Sequence, residues 1–133
     1  MLLIERKPHV VVINHSNELL ALYTDLLGDE GYDVSTQTVF QPDLDGIAGL
    51  TPICIIIDYF IRGDIAERRV LEDLLTDDRT RAIPVIVCTG AVREIEEMRD
   101  RLEAQSVAIV IKPFEIDELL TTIGSVRKHP ADE

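Results

Sequence analysis

Four short apolar runs punctuate this chain, and each ends on a polar residue. Val10-Val11-Val12-Ile13 ends on Asn14 and Ile53-Cys54-Ile55-Ile56-Ile57 on Asp58; Ile83-Pro84-Val85-Ile86-Val87-Cys88 ends on Thr89 and Val107-Ala108-Ile109-Val110-Ile111 on Lys112. Near-continuous β-branched runs of this length predict strands buried on both faces, which requires a parallel sheet covered by helices. In such sheets chemistry collects in the crevice outside the carboxyl ends of the strands. The four terminal residues are therefore expected to converge on one site.

Helical patterns fill the intervals. Leu19, Leu20, Tyr23, Leu26 and Leu27 recur at helical spacing, with Gly28 and Gly31 as the stop, and the alternating segment from Tyr32 to Thr38 suits an exposed edge strand. From Gln41 to Gly49, Pro42 suits a first helical turn, while Gly46 and Gly49 predict a short, weak helix. After Asp58 comes a loop, Tyr59 to Gly63. Asp64-Ile65-Ala66-Glu67 then has the spacing of a capping box, so Asp64 reads as a cap rather than a ligand, and Val70, Leu71, Leu74 and Leu75 face inward.

The helix from Val92 to Ala104 is expected to bury Val92, Ile95, Met98 and Leu102 and to carry Arg93/Glu97 and Glu97/Arg101 pairs on a solvated face. The last helix follows Pro113, sets Glu115, Asp117 and Glu118 in its positive N-terminal turn, and buries Ile116, Leu119, Leu120 and Ile123. Five βα units with right-handed crossovers make an α/β fold with a doubly wound sheet and helices on both faces. One domain is expected over residues 1–133, with its core about 9–126 and Arg127 to Glu133 either a frayed tail or the start of a linker.

A chain of 133 residues can bury roughly two-thirds of its unfolded surface without disulfides or a structural metal. Its formal charge of −12 argues against nucleic acid, whose binders need Lys and Arg to displace counterions from phosphate. A basic protein surface or a small ligand fits better. Cys54 and Cys88 lie inside predicted strands with no CxxC partner and read as apolar fillers in a reduced compartment. No stretch approaches the roughly 20 apolar residues that cross a bilayer. Met1-Leu2-Leu3-Ile4 is too short for a signal-peptide core and is followed by Glu5-Arg6-Lys7, so a cytoplasmic location is expected.

A carboxylate at one strand end, facing a lysine and a threonine from neighbouring strand ends, is suited to accepting a phosphoryl group. Asp58 would be the nucleophile, Lys112 would pair with the carboxylate and then with phosphoryl oxygens, and Thr89 would donate to the new phosphate. Singly, the residues have plainer readings. Asp58 and Lys112 could form an ion pair at the sheet edge, and Thr89 could cap the helix after it.

In order and spacing these residues resemble the receiver domain of bacterial response regulators, over His9 to about Val126. Ile55-Ile56-Ile57-Asp58 resembles the phosphoacceptor strand, Val85-Ile86-Val87-Cys88-Thr89-Gly90-Ala91 the switch-threonine strand, and Val110-Ile111-Lys112-Pro113-Phe114 the lysine-proline-phenylalanine signature. Leu26-Leu27-Gly28 through Gly31-Tyr32-Asp33-Val34 is similar to the family's first-helix ending. The resemblance implies a flavodoxin-like (βα)5 sheet of strand order 2-1-3-4-5 and a cis Lys112-Pro113 bond. It further implies a phosphoryl group donated to Asp58 by a histidine kinase or phosphotransfer protein, and Mg2+ held by Asp58 and the backbone carbonyl of Phe60. The partner face implied is the fourth helix, last strand and last helix, and a homodimer is compatible with it.

The chain departs from that pattern at the acidic pair, where Asn14 and His15 stand. Magnesium favours carboxylate oxygen, whereas imidazole belongs to zinc, copper or nickel chemistry, so weakened magnesium affinity is expected. His15 reads either as drift at a site that no longer needs the metal or, if protonated, as a cation that joins Arg62 and Lys112 in its place. A Zn2+ or Ni2+ site on His15 and Asp58 has few visible ligands. Phe60 would either exclude hydrolytic water and prolong an aspartyl phosphate, or simply pack in its loop. Ile109 replaces the aromatic switch residue, which puts the usual readout in doubt.

Three further function classes compete with this one. If Asp58 is not phosphorylated, the fold would serve as a phosphorylation-independent protein-interaction module. An aspartate-nucleophile phosphatase would need a second aspartate where Phe60 stands, and a flavin or dinucleotide site would need a phosphate loop that Asn14-His15-Ser16-Asn17-Glu18 does not supply.

Overall fold

The computed structural model describes residues 7–40, 42–58, 65–90 and 92–128. The strands are β1 (His9–Asn14), β2 (Asp33–Thr38), β3 (Cys54–Asp58), β4 (Val85–Thr89) and β5 (Val107–Ile111). Between and after them run α1 (Asn17–Asp29), α2 (Leu44–Gly49), α3 (Ile65–Thr76), α4 (Val92–Ala104) and α5 (Ile116–Lys128). All pairings are parallel and the order is β2-β1-β3-β4-β5, the flavodoxin-like arrangement expected. The Lys112-Pro113 peptide is cis.

Strand alternation divides the core in two. Val10, Val12, Cys54, Ile56, Ile86, Cys88 and Val110 pack against Leu20, Tyr23 and Leu27 of α1 and Leu119 and Ile123 of α5. Val11, Ile13, Ile55, Ile57, Val85 and Val87 pack on the opposite side with Ile47 of α2, Val70, Leu71 and Leu74 of α3, and Ile95 and Leu102 of α4. Each apolar run thus supplies both faces of the sheet at once. Gly31, at φ 93°, reverses the chain after α1 in a left-handed conformation that favours glycine.

Five local expectations are corrected. The β5 run reads as buried on both faces, yet Ala108, Ile109 and Ile111 are only half-buried, because β5 is the sheet's edge and lacks a neighbour on one side. Val92 is 48% exposed rather than inward, since the first turn of α4 lies past the end of β4. Leu26 is exposed beside Leu22, off the stripe formed by Leu20, Tyr23 and Leu27. Pro42 precedes the first turn of α2, whose N-cap is Asp43 with its side chain bonded to the Gly46 N–H. On α4, among the described residues, Arg99 pairs with Glu96 and Glu103 and Arg101 reaches Glu72 on α3, in place of the Arg93/Glu97 and Glu97/Arg101 pairs.

Candidate functional site

Strand parity assembles the site. Asn14 continues the series Val10, Val12; Asp58 continues Cys54, Ile56; and Lys112 follows Val110, so all three leave the sheet on the side covered by α1 and α5. Asp58 is 1% exposed. Its Oδ2 accepts from Asn14 Nδ2 at 2.5 Å and from Lys112 Nζ at 2.9 Å. Its Oδ1 accepts from the Tyr23 hydroxyl at 3.0 Å. A carboxylate withdrawn from water needs such compensation, here one ammonium and two neutral donors.

Asn14 is itself oriented by the chain. Its Oδ1 accepts from the Ser16 N–H at 3.0 Å, which leaves the amide nitrogen facing Asp58. Ser16 caps α1, its Oγ accepting from the Leu19 N–H at 3.2 Å. Thr89 is buried at the end of β4, and its carbonyl accepts the Lys112 N–H at 2.8 Å. Among the described residues α4 begins at Val92, three positions after Thr89.

His15 meets α3. Its Nδ1 lies 3.6 Å from Glu67 Oε1 on α3, and Glu67 is 1% exposed. The sequence gives Glu67 only a helix-capping part, whereas the fold makes it a second buried carboxylate on the α3 side of the crevice. Lys112 reaches Asp58, as the charge-substitution reading of the acidic pair requires, and His15 stands beside Glu67. Phe60, Arg62, Tyr59 and Asp64 lie outside the described residues, and the expectations placed on them rest there.

Tyr23 is the functional residue that sequence reasoning missed. Helical spacing assigns it to the buried stripe of α1, and it is buried, but its hydroxyl ends on the candidate nucleophile. The available signal was chemical: a tyrosine on a buried stripe needs a partner for its O–H. Burial pushes this phenol well above its usual range, with Cys88 and the negative charge of Asp58 adding to the effect, so it is held as a donor. Burial also pushes the Cys88 thiol, opposite Asp58 in the sheet register, up to about 12, with the Asp58 charge contributing. Neither group is set up as a nucleophile.

Among the described residues, the side-chain donors around Asp58 do not by themselves fit a magnesium ion. Between Asn14 and Asp58 an N–H points where a hard cation would need oxygen, and the Asn14 oxygen is engaged by Ser16. Among the described residues no three His, Cys, Asp or Glu side chains group as a metal site, for zinc or nickel included. Beside Asp58 opens a cavity of about 520 Å³, lined by Leu22, Tyr23, Leu26, Lys112, Pro113 and Phe114 among others.

The fold has close counterparts among solved structures. A sensor protein from Polaromonas sp. JS666 matches at TM-score 0.75 and 18% identity, covering 92% of this chain and 98% of that one. The chemotaxis protein CheY4 of Vibrio cholerae matches at 0.73 and 19%, covering 91% and 99%. The response regulator TrrA of Thermotoga maritima, solved in complex with Mg2+-BeF, matches at 0.62 and 18%, covering 90% and 98%. No family model and no curated protein matches the sequence. At these identities the likeness is one of fold, and the fold is that of response-regulator receiver domains.

Proposed function

We propose that residues 1–133 form a single receiver domain of two-component phosphorelay signalling that accepts a phosphoryl group on Asp58. The observation that carries this reading is the contact of Asp58 at the end of β3 with Lys112 at the end of β5, 2.9 Å apart, within a receiver fold. A carboxylate oxygen attacks phosphorus, the bond to the donor nitrogen or oxygen breaks, and the leaving group departs with its electron pair. Lys112 neutralises charge on the opposite carboxyl oxygen, and Thr89 offers its hydroxyl to the phosphoryl group. The chemistry of the donor set supports a weakened dependence on Mg2+.

The phosphoryl donor is a histidine kinase or a phosphotransfer protein, and the domain acts as a binding and switching module rather than on a separate substrate. Downstream partners meet α4, β5 and α5, where Ile109 replaces a switching ring. A cytoplasmic setting accords with this chemistry, and among the described residues no helix is long and apolar enough to cross a membrane.

Occupation of both Asp58 oxygens by donors favours a second reading, a module that binds partners without phosphorylation. Intact-mass measurement of wild type and Asp58→Ala after acetyl phosphate treatment, with and without Mg2+, decides between them. A gain of one phosphoryl group that vanishes in Asp58→Ala supports the receiver. No gain in either protein supports the phosphorylation-independent module.

A further inference from the structure

We propose that Tyr23 is a latch on the nucleophile: its hydroxyl holds Asp58 Oδ1, the oxygen that takes the phosphoryl group, and must leave before the acyl phosphate can form. The inference rests on the receiver reading above and concerns what limits the reaction in this chain.

The two carboxylate oxygens are not equivalent. Among the described residues, Oδ2 carries two donors, one of them the Lys112 ammonium, whereas Oδ1 carries only the neutral Tyr23 hydroxyl at 3.0 Å. Attack through Oδ2 would strip a buried carboxylate of its counter-charge as the reaction begins. Attack through Oδ1 leaves Lys112 and Asn14 where they neutralise the remaining oxygen, and only one neutral hydrogen bond is broken. The O–P bond forms at Oδ1, the P–O or P–N bond of an acyl phosphate or phosphohistidine breaks, and Tyr23 keeps its proton throughout.

Space for the departing ring exists beside it. Tyr23 lines the cavity of about 520 Å³ together with Leu22, Leu26, Pro113 and Phe114, so its hydroxyl can turn from Asp58 without entering the core. Leu22, at the rim, is 51% exposed. Tyr23 is thus a positioning residue: it fixes the resting carboxylate and sets the cost of releasing it.

The test compares rates of phosphoryl gain from acetyl phosphate, by intact mass, in wild type, Tyr23→Phe and Tyr32→Phe. A neutral donor on a charged acceptor corresponds to about a tenfold or greater change in rate, so Tyr23→Phe is expected to react about tenfold faster or more. Tyr32→Phe, which removes a phenol hydroxyl outside the cavity and the Asp58 contacts, is expected to match wild type. In wild type, the ζ-carbon NMR signal of Tyr23 is expected to shift on saturation with beryllofluoride while that of Tyr32 does not. Equal or slower reaction of Tyr23→Phe, equal acceleration in Tyr32→Phe, or an unmoved Tyr23 signal overturns the latch while leaving the receiver intact. Absence of phosphoryl gain in all three proteins overturns the receiver reading and the latch together.

Discussion

Asn14 presents its amide nitrogen, not its oxygen, to Asp58 Oδ2 at 2.5 Å, because the Ser16 N–H holds the amide oxygen. Asn14→Asp replaces that donor with a second carboxylate. Loss of a hydrogen bond to a charged group and the new like-charge contact should destabilise the metal-free domain by about 1.5–3 kcal/mol. The same variant gains oxygen ligands, so millimolar Mg2+ should raise its melting temperature and leave that of wild type nearly unchanged. Thermal denaturation in EDTA and in Mg2+ measures both effects, and a wild type stabilised as much as the variant contradicts the ligand assignment.

Lys112→Met leaves Asp58 buried with neutral donors only. The expected loss is about 3 kcal/mol, at the low end for a broken buried pair because Lys112 keeps part of its side chain in solvent. Urea denaturation tests it. A loss within a few tenths of a kcal/mol would mean that Asn14 and Tyr23 suffice to hold the charge.

The alkaline limb of stability should begin where thiols ordinarily ionise. Burial pushes Cys54 and Cys88 from about 9 up to about 12, and Tyr23 is raised as well. The fold keeps these protons at pH values where the unfolded chain releases them. Their contribution is therefore full below the unfolded pKa and is lost as pH rises toward the folded value, at about 1.4 kcal/mol per pH unit per group. Melting temperature should fall steadily above about pH 9. Cys54→Ala should make that fall shallower, and an unchanged slope would remove this thiol as a cause.

At the acid end, the Arg79 side chain and then its backbone N–H hold the Asp77 carboxyl down to about 2, while Arg79 also reaches Asp45 at 2.8 Å. A depressed carboxyl contributes stability above its unfolded pKa, and that contribution is lost as pH falls through the folded value. Arg79→Met should return the Asp77 titration toward about 3.9, observable by carboxyl carbon NMR. A midpoint that stays near its wild-type value would assign the depression to the backbone N–H alone.

The meeting of Asn14, Asp58 and Lys112 at the carboxyl end of the sheet was legible because a strand's end is marked by where its apolar run stops. The strand order came from family resemblance, and the pairings bear it out. Contacts made by helix side chains were less legible. Periodicity gives Tyr23 a face but not the atom at the tip of its ring, and it cannot tell that Leu26 clears the edge of the stripe. Glu67 fitted a capping pattern so well that its burial beside His15 had no separate signature. Val92 matched the helical period, but whether sheet lies beneath a first turn depends on where β4 ends in space.

Ser16 and Tyr23 lie seven residues apart on α1, about 10 Å along the helix axis. Ser16 joins Asp58 through Asn14, and Tyr23 joins it directly. A rod pinned at two heights to one post cannot slide along it without breaking a pin, but it can pivot. Any change at Asp58 that frees the upper pin while the lower one holds would therefore reach the surface as a tilt of α1 about its first turn, carrying Leu22 and Leu26 with it.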